Sequence, residues 1–246
     1  MDTSLTVPWT RYIPHRPTAK QLAFLLLDIP EALYGGAAGG GKSDALLMAA
    51  LQYVSVPNYA ALLLRRTYAD LSLPGALMSR AFEWLMPTDA RWKNSEKTWV
   101  FPSGATLTFG YLDSVGSEYR YQSSEFQFIG FDELTQFRES QYRYLFSRLR
   151  RLAGDAVPLR MRSASNPGGI GHEWVRQRLV DRDVDAEERV FIPATLDDNP
   201  YLDRTAYLQS LMQLDPVTRQ QLLQGDWTAR ETGSLFKREW FGIVDE

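Results

Sequence analysis

Gly36-Ala37-Ala38-Gly39-Gly40-Gly41-Lys42-Ser43 fills every fixed position of the pattern G-x-x-x-x-G-K-[ST]. No other feature of the chain restricts its fold so tightly. Glycines let the backbone bend so that successive N–H groups point inward, and a following helix N-terminus adds partial positive charge. Such a loop needs a strand before it and a helix after it. Ala32-Leu33-Tyr34 precedes it, and Asp44-Ala45-Leu46-Leu47-Met48-Ala49-Ala50-Leu51 follows. Residues 36–44 are therefore the expected nucleotide contacts, with Lys42 reaching the β- and γ-phosphates and the Ser43 hydroxyl ligating Mg²⁺. A flexible glycine-rich turn, the bland alternative, requires no Lys-Ser at this register.

The rest of the chain supplies a sheet for that loop. Lys20 to Leu27 reads as a short helix stopped near Pro30. The run Ala60-Ala61-Leu62-Leu63-Leu64 has the continuous apolar character of a buried parallel strand. A helix is expected around 74–86, and a hairpin from Thr98-Trp99-Val100-Phe101 to Ala105-Thr106-Leu107-Thr108-Phe109. Residues 113–124 are polar and loop-like; Gln127 to Phe131 is the next strand. Helical spacing then runs across 138–152, with Tyr142, Leu145, Phe146 and Leu149 on one face. A strand at 159–165, a helix at 172–180 and a strand at 189–194 complete the alternation. Alternating strands and helices imply an α/β fold, a mostly parallel central sheet flanked by helices. After Asp197-Asp198-Asn199-Pro200 come two short helices, near 203–212 and 216–224, closed by Gly225-Asp226-Trp227. The organisation expected is a P-loop ATPase core over 1–199 and a small helical lid subdomain over 200–246 that begins a linker. The final stretch, 233–246, is strand-like.

A phosphate loop needs a carboxylate for Mg²⁺ and a group that aligns the attacking water. Asp132-Glu133 directly follows the apolar Phe128-Ile129-Gly130-Phe131, where strand ends of a parallel sheet place their ligands. Asp132 is the expected metal ligand beside Ser43, and Glu133 the expected catalytic base. A dedicated water-activating Glu argues for hydrolysis over transfer to a metabolite. Ser163-Ala164-Ser165-Asn166-Pro167-Gly168-Gly169 ends the next strand. The Asn166 amide there can bond the γ-phosphate or its water together with Glu133, although a plain turn would read the same. Gln21, ahead of the loop, carries a donor and an acceptor that suit an adenine edge, or it is a helix residue facing solvent. Arg65-Arg66 and Ser147-Arg148-Leu149-Arg150-Arg151 offer charge for transferring phosphate in cis or from a neighbour; the default for each is a solvated or ion-paired arginine. His172 and Trp174, like Asp197-Asp198, lack partners for a metal and are read as structural.

Composition removes several classes. With no cysteine and two histidines, His15 and His172, disulfides and thiolate or histidine-rich zinc centres are excluded or disfavoured, and a reducing cytosol is compatible. No apolar run reaches the roughly 20 residues that span a bilayer. Net charge of −3 gives no global basic field, so any duplex DNA binding is expected to be weak and salt-sensitive. Only five of the 27 basic residues are Lys. Arg suits phosphate contacts, but the bias as a whole is better explained by genome composition or habitat.

Taken together these residues resemble the ATPase domain of the large terminase subunit of tailed bacteriophages. The match runs in order through Pro17-Thr18-x-x-Gln21, the loop, Leu64-Arg65-Arg66-Thr67, Phe128 to Glu133, Ser147-Arg148-Leu149-Arg150, Ser165-Asn166-Pro167 and Gly225-Asp226-Trp227. The last three segments discriminate this family from other ATPases. The resemblance implies an ASCE-type P-loop NTPase that uses ATP and Mg²⁺ to package double-stranded DNA into a procapsid. It further implies a homo-oligomeric ring on the portal protein, served by a small terminase subunit in the cytoplasm of an infected bacterium. Gln21 matches the adenine contact, Asn166 the coupling position and Arg148 the trans-acting arginine, with Arg150 and Arg120 as alternatives. The family's C-terminal nuclease domain does not follow residue 246, so DNA cleavage is not expected of this chain. A helicase-like translocase and a nucleotide-regulated assembly module are the other readings; a helicase usually needs a second motor half, and Glu133 argues against a module without turnover.

Overall fold

The computed structural model describes residues 9–153, 156–181 and 188–229. The strand-like reading of 233–246 lies outside these residues. Thr18 starts α1 (Ala19–Leu26) with a capping box: its hydroxyl accepts from the Gln21 N–H while the Gln21 side chain returns to the Thr18 N–H. In chain order there follow β1 (Glu31–Gly36), α2 (Lys42–Leu51), β2 (Ala60–Arg65), α3 (Tyr68–Ser72) and α4 (Leu77–Leu85). Then come β3 (Arg91–Lys93), β4 (Thr98–Val100), β5 (Thr106–Tyr111), β6 (Phe128–Asp132), α5 (Glu139–Phe146) and β7 (Arg160–Ser165). The chain continues with α6 (His172–Val175), β8 (Arg189–Ala194), α7 (Arg204–Leu211) and α8 (Pro216–Gln224).

The strands form one sheet in the order β3-β4-β5-β2-β6-β7-β1-β8. From β5 to β8 every pairing is parallel, and β4 and β3 extend the β5 edge antiparallel. The loop strand β1 and the carboxylate strand β6 are therefore separated by β7. Period-two alternation divides the side chains between two cores. Tyr34, Leu63, Phe128 and Ala164 face α1, α2 and α4. Leu33, Leu62, Leu64, Ile129, Phe131 and Met161 face α5 and α6. Both faces are covered, which is why β1 and β6 are buried along their whole length. No helix among the described residues is long and apolar enough to cross a membrane.

β7 is buried throughout despite its sequence Arg-Met-Arg-Ser-Ala-Ser. Arg162 donates to the carbonyls of Leu27 and Ile29 at 2.8 and 3.0 Å, just past the C-terminus of α1. Arg160 donates to Gln52 Oε1 at 2.8 Å, just past the end of α2. Arg160 Nε and Nη2 and Arg162 Nε are buried without a hydrogen-bond partner. The Arg160 guanidinium lies against the Tyr53 and Phe128 rings, 4.9 and 5.9 Å from their centroids, so these buried charges are only partly compensated. Glu31 opens β1 as a second buried charge. It receives both Nε and Nη2 of Arg178, at 2.8 and 2.9 Å, Nε of Arg189 at 3.1 Å and the Tyr142 hydroxyl at 2.9 Å.

Four expectations need correction. The helix expected over 74–86 begins only at Leu77, as α4; Pro74-Gly75, with Gly75 at φ 73°, parts it from α3. The helix expected over 138–152 stops at Phe146. There Ser147 turns the chain, and Phe126 and Leu149 pair in a parallel bridge. The helix over 172–180 changes after Val175 into a π turn, Arg176–Val180. The loop 113–124 contains a 3-10 turn, Ser117–Tyr121, and the short β3 carries no strand signal in the sequence.

Candidate nucleotide-binding site

The phosphate loop leaves β1 and enters α2 with Gly36, Gly39 and Gly41 at φ 120°, 78° and 73°. These values need glycine. Space demands it as well: a Cβ on Gly36 would sit 2.7 Å from the Ala194 carbonyl oxygen, and one on Gly41 2.7 Å from Gln21 Nε2. Four loop carbonyls are taken by side chains. Lys42 Nζ donates to Ala37 O. Asn199 Nδ2 donates to Gly39 O at 2.7 Å, Tyr34 OH to Gly40 O at 3.0 Å and Gln21 Nε2 to Gly41 O at 2.9 Å. Tying carbonyl oxygens back removes groups that would repel phosphate. The Ala37 and Ala38 N–H groups are themselves taken, by Ala194 O at 2.9 Å and Leu222 O at 2.7 Å, and do not face the cleft.

The loop floors a cleft of about 360 Å³, within the range of small-molecule sites. Ala38 to Ser43, Arg80, Glu133, Asn166, Asn199, Leu202 and Tyr207 line it. Gly36 and Ala37 lie beneath the loop, covered by Ala194 and Gly225. Gln21 lies behind Gly41 with both ends of its amide engaged, since its Oε1 accepts from the Thr18 N–H at 2.9 Å. Reading an adenine edge would require it to release one of these bonds. Asp44 is held by Arg80 and, at 3.7 Å, by His15 Nε2, on the wall of an adjoining cleft.

β6 delivers the carboxylates as the alternation requires. Ser43 Oγ donates to Asp132 Oδ1 at 3.0 Å, and Asp132 Oδ2 is buried without a hydrogen-bond partner. An oxygen pair of this kind, one member free of hydrogen bonds and met by the Arg65 guanidinium, suits a hard cation such as Mg²⁺. Glu133 sits in the left-handed region at φ 57°, ψ 57°. Arg65, at the end of β2, stands between the two: its Nη1 is 3.3 Å from Asp132 Oδ2 and its Nη2 4.0 Å from Glu133 Oε1. Burial pushes both carboxyl pKa values up, for Glu133 reinforced by the charge of Asp132; Arg65 and Lys42 oppose the rise. Burial also brings the Lys42 ammonium down to about 8, against the pull of Glu133 and Asp132. Burial thus disfavours the charged form of all three groups.

Sequence reasoning treats Arg65 as a solvated or paired arginine; the structure pairs it with both carboxylates. Arg80 and Asn199 escape such reasoning altogether. Their only signal is nearness to polar turns, which many surface residues share. Of the three candidate arginines, Arg148 and Arg150 flank the bridge to Phe126, two residues before β6. That is six residues from Asp132, roughly 20 Å along a strand. Arg148 donates to Gln122 O and lies over the Tyr144 ring, outside the cleft. Arg120 instead packs on Tyr111, which pairs in register with Arg65 at the cleft edge of the sheet.

A phosphate loop on β1, carboxylates on β6 and β7 interposed between them define an ASCE-type P-loop NTPase fold. The family described as terminase large subunit, T4likevirus-type, N-terminal, matches residues 33–243. The chain belongs to that family. Among solved structures it is similar to the large terminase of a thermophilic bacteriophage in complex with ADP, at TM-score 0.70 and 16% identity, over 85% of this chain and 53% of that one. It is similar to the large terminase ATPase domain of Thermus phage P74-26, at TM-score 0.60 and 13% identity, over 91% of this chain and 100% of that one. The HK97 bacteriophage large terminase gives TM-score 0.63 and 12% identity, over 87% of this chain and 51% of that one. The chain thus spans about half the length of the ADP-bound terminase and of the HK97 protein. No curated protein matches it.

Proposed function

We propose that this chain is the ATP-hydrolysing unit of a viral DNA-packaging motor. The observation that carries the reading is the convergence of Lys42, Ser43, Asp132, Glu133 and Asn166 from three strand ends around one cleft. Ser43 and Asp132 would hold Mg²⁺, which when bound supplies positive charge at the phosphate oxygens. The loop N–H groups and Lys42 grip the β- and γ-phosphates. Glu133, its basicity raised by burial and by Asp132, accepts the proton of a water as the water oxygen attacks the γ-phosphorus. The bond from that phosphorus to the bridging oxygen breaks, and ADP leaves with the electron pair. Asn166, whose Oδ1 is buried without a partner, is the group that senses the change. Family membership and the likeness to a terminase solved with ADP support ATP as the nucleotide.

In this reading residues 200–229 act as a lid on the loop. The chain works on double-stranded DNA, as part of a homo-oligomeric ring on a portal protein with a small terminase subunit, in the bacterial cytoplasm. An arginine from the neighbouring subunit, Arg148 as the family resemblance has it, completes the site in trans. The test is phosphate release by the purified chain with Mg·ATP, with and without duplex DNA. Chelation of Mg²⁺ should abolish release. Glu133→Gln should lower turnover on the order of a hundredfold or more while ATP still binds. Unchanged turnover in that variant would remove Glu133 from the mechanism.

A further inference from the structure

The turn after β7 and the segment after α8 meet at one side chain. The Gly168 N–H donates to His172 Nδ1 at 2.9 Å, and His172 Nε2 lies 3.1 Å from the carbonyl oxygen of Trp227. The two bonds fix the ring as the neutral tautomer, with its proton on Nε2 donated to that carbonyl. The ring also stacks on the Trp227 indole, centroids 5.4 Å apart at 25°. Each joined segment reaches the nucleotide cleft. On one side Asn166 lies two residues before Gly168. On the other, Gly225 at φ 67° packs so closely that a Cβ would sit 2.5 Å from the Ala37 nitrogen. Leu222 O accepts the Ala38 N–H at 2.7 Å. A histidine that merely capped α6 would bond one neighbour in sequence. This one donates to one segment and accepts from another, one bearing Asn166 at the cleft and the other seated beneath the phosphate loop.

We propose that His172 is a positioning residue for ATP turnover. It holds the turn bearing Asn166 and the segment seated on the phosphate loop as one body, so that the two change place together. The proposal rests on the ATPase reading above. Three variants test it. His172→Phe keeps the ring stack and loses both polar bonds. His172→Asn keeps an acceptor near Nδ1 and loses the reach to Trp227. His172→Gln keeps a donor near Nε2 and loses the Gly168 bond. Two readouts are made on the 246-residue chain: kcat and KM for ATP, and hydrogen exchange at the Gly168 and Ala38 amides.

His172→Phe should lower kcat on the order of tenfold or more, with KM within about twofold. Exchange should quicken at both amides, although Ala38 never touches His172. His172→Asn should restore protection at Gly168 alone and should not recover kcat; His172→Gln should restore neither. The proposal is overturned if Ala38 keeps its protection in His172→Phe, or if His172→Asn recovers full turnover. Should His172→Phe fail to fold, the Asn and Gln variants decide the same question. Absence of turnover in the wild-type chain would sink the ATPase reading, whereas the exchange experiment would still report on the link.

Discussion

Glu133 concentrates the tension of the site in one residue. An L-residue in the left-handed region costs on the order of 1 kcal/mol relative to glycine, and Glu133 has φ 57°. The conformation is held because the Gln136 N–H bonds the Glu133 carbonyl at 2.9 Å and the Thr135 N–H bonds Ser165 Oγ at 3.1 Å. Strain kept at a residue that faces the cleft supports the role proposed for Glu133. Glu133→Gly should therefore abolish turnover and raise unfolding stability by about 1 kcal/mol, read as a higher denaturant midpoint. A lower midpoint would mean that the backbone is unstrained there. The sequence locates Glu133 from its place after an apolar strand. It does not disclose the backbone conformation, which depends on contacts with β7 some thirty residues on. Gln21 shows the same division: its sequence reveals an amide able to bond twice, while only the fold reveals that Thr18 and Gly41 take both ends.

At the level of elements, periodicity finds the strands well and the helix ends poorly. Strands β1, β2, β6 and β7 lie within a residue or two of the expected spans, because burial on both faces leaves a plain apolar or strand-length signature. The half-buried edge strand β8 also falls on its expected span. The spacing of Tyr142, Leu145, Phe146 and Leu149 continues past the point where α5 stops. Leu149 satisfies it from an extended segment paired with Phe126, a tertiary contact that local spacing cannot distinguish from helix. Polar strand β7 is the converse case: its length is legible, and the burial of two arginines is not. Glu31 is invisible as well, since its partners come from α5, the π turn and β8. Replacing it leaves Arg178, only 14% exposed at its side chain, without a counter-charge. Glu31→Gln should destabilise the fold by about 3 kcal/mol, measured by urea unfolding with the same slope. A loss below about 0.5 kcal/mol would show that solvent reaches the pair freely.

Across the whole molecule, the proposed trans-acting arginine would constrain how copies of the chain assemble. Arg148 stands at the opposite end of β6 from Asp132, so its proposed contact with phosphate belongs to a neighbouring copy. ATPase activity per chain should then rise with protein concentration, and Arg148→Ala chains should depress activity in mixtures more than in proportion. Strictly concentration-independent turnover would remove the trans role. Poisoning by Arg120→Ala in place of Arg148→Ala would move it to the cleft edge.

The two buried arginines of β7 carry a mechanical consequence. Helix α2 begins at the phosphate loop and is held just past its far end by Arg160 through Gln52. Strand β7 begins with Arg160 and runs back to Asn166 at the same cleft. Loop, helix, arginine, strand and turn thus form one connected path from one side of the cleft to the other. The helical pair resting on Gly36 and Ala38 is joined to the same turn through His172, so that in the proposed mechanism turn and pair shift as one.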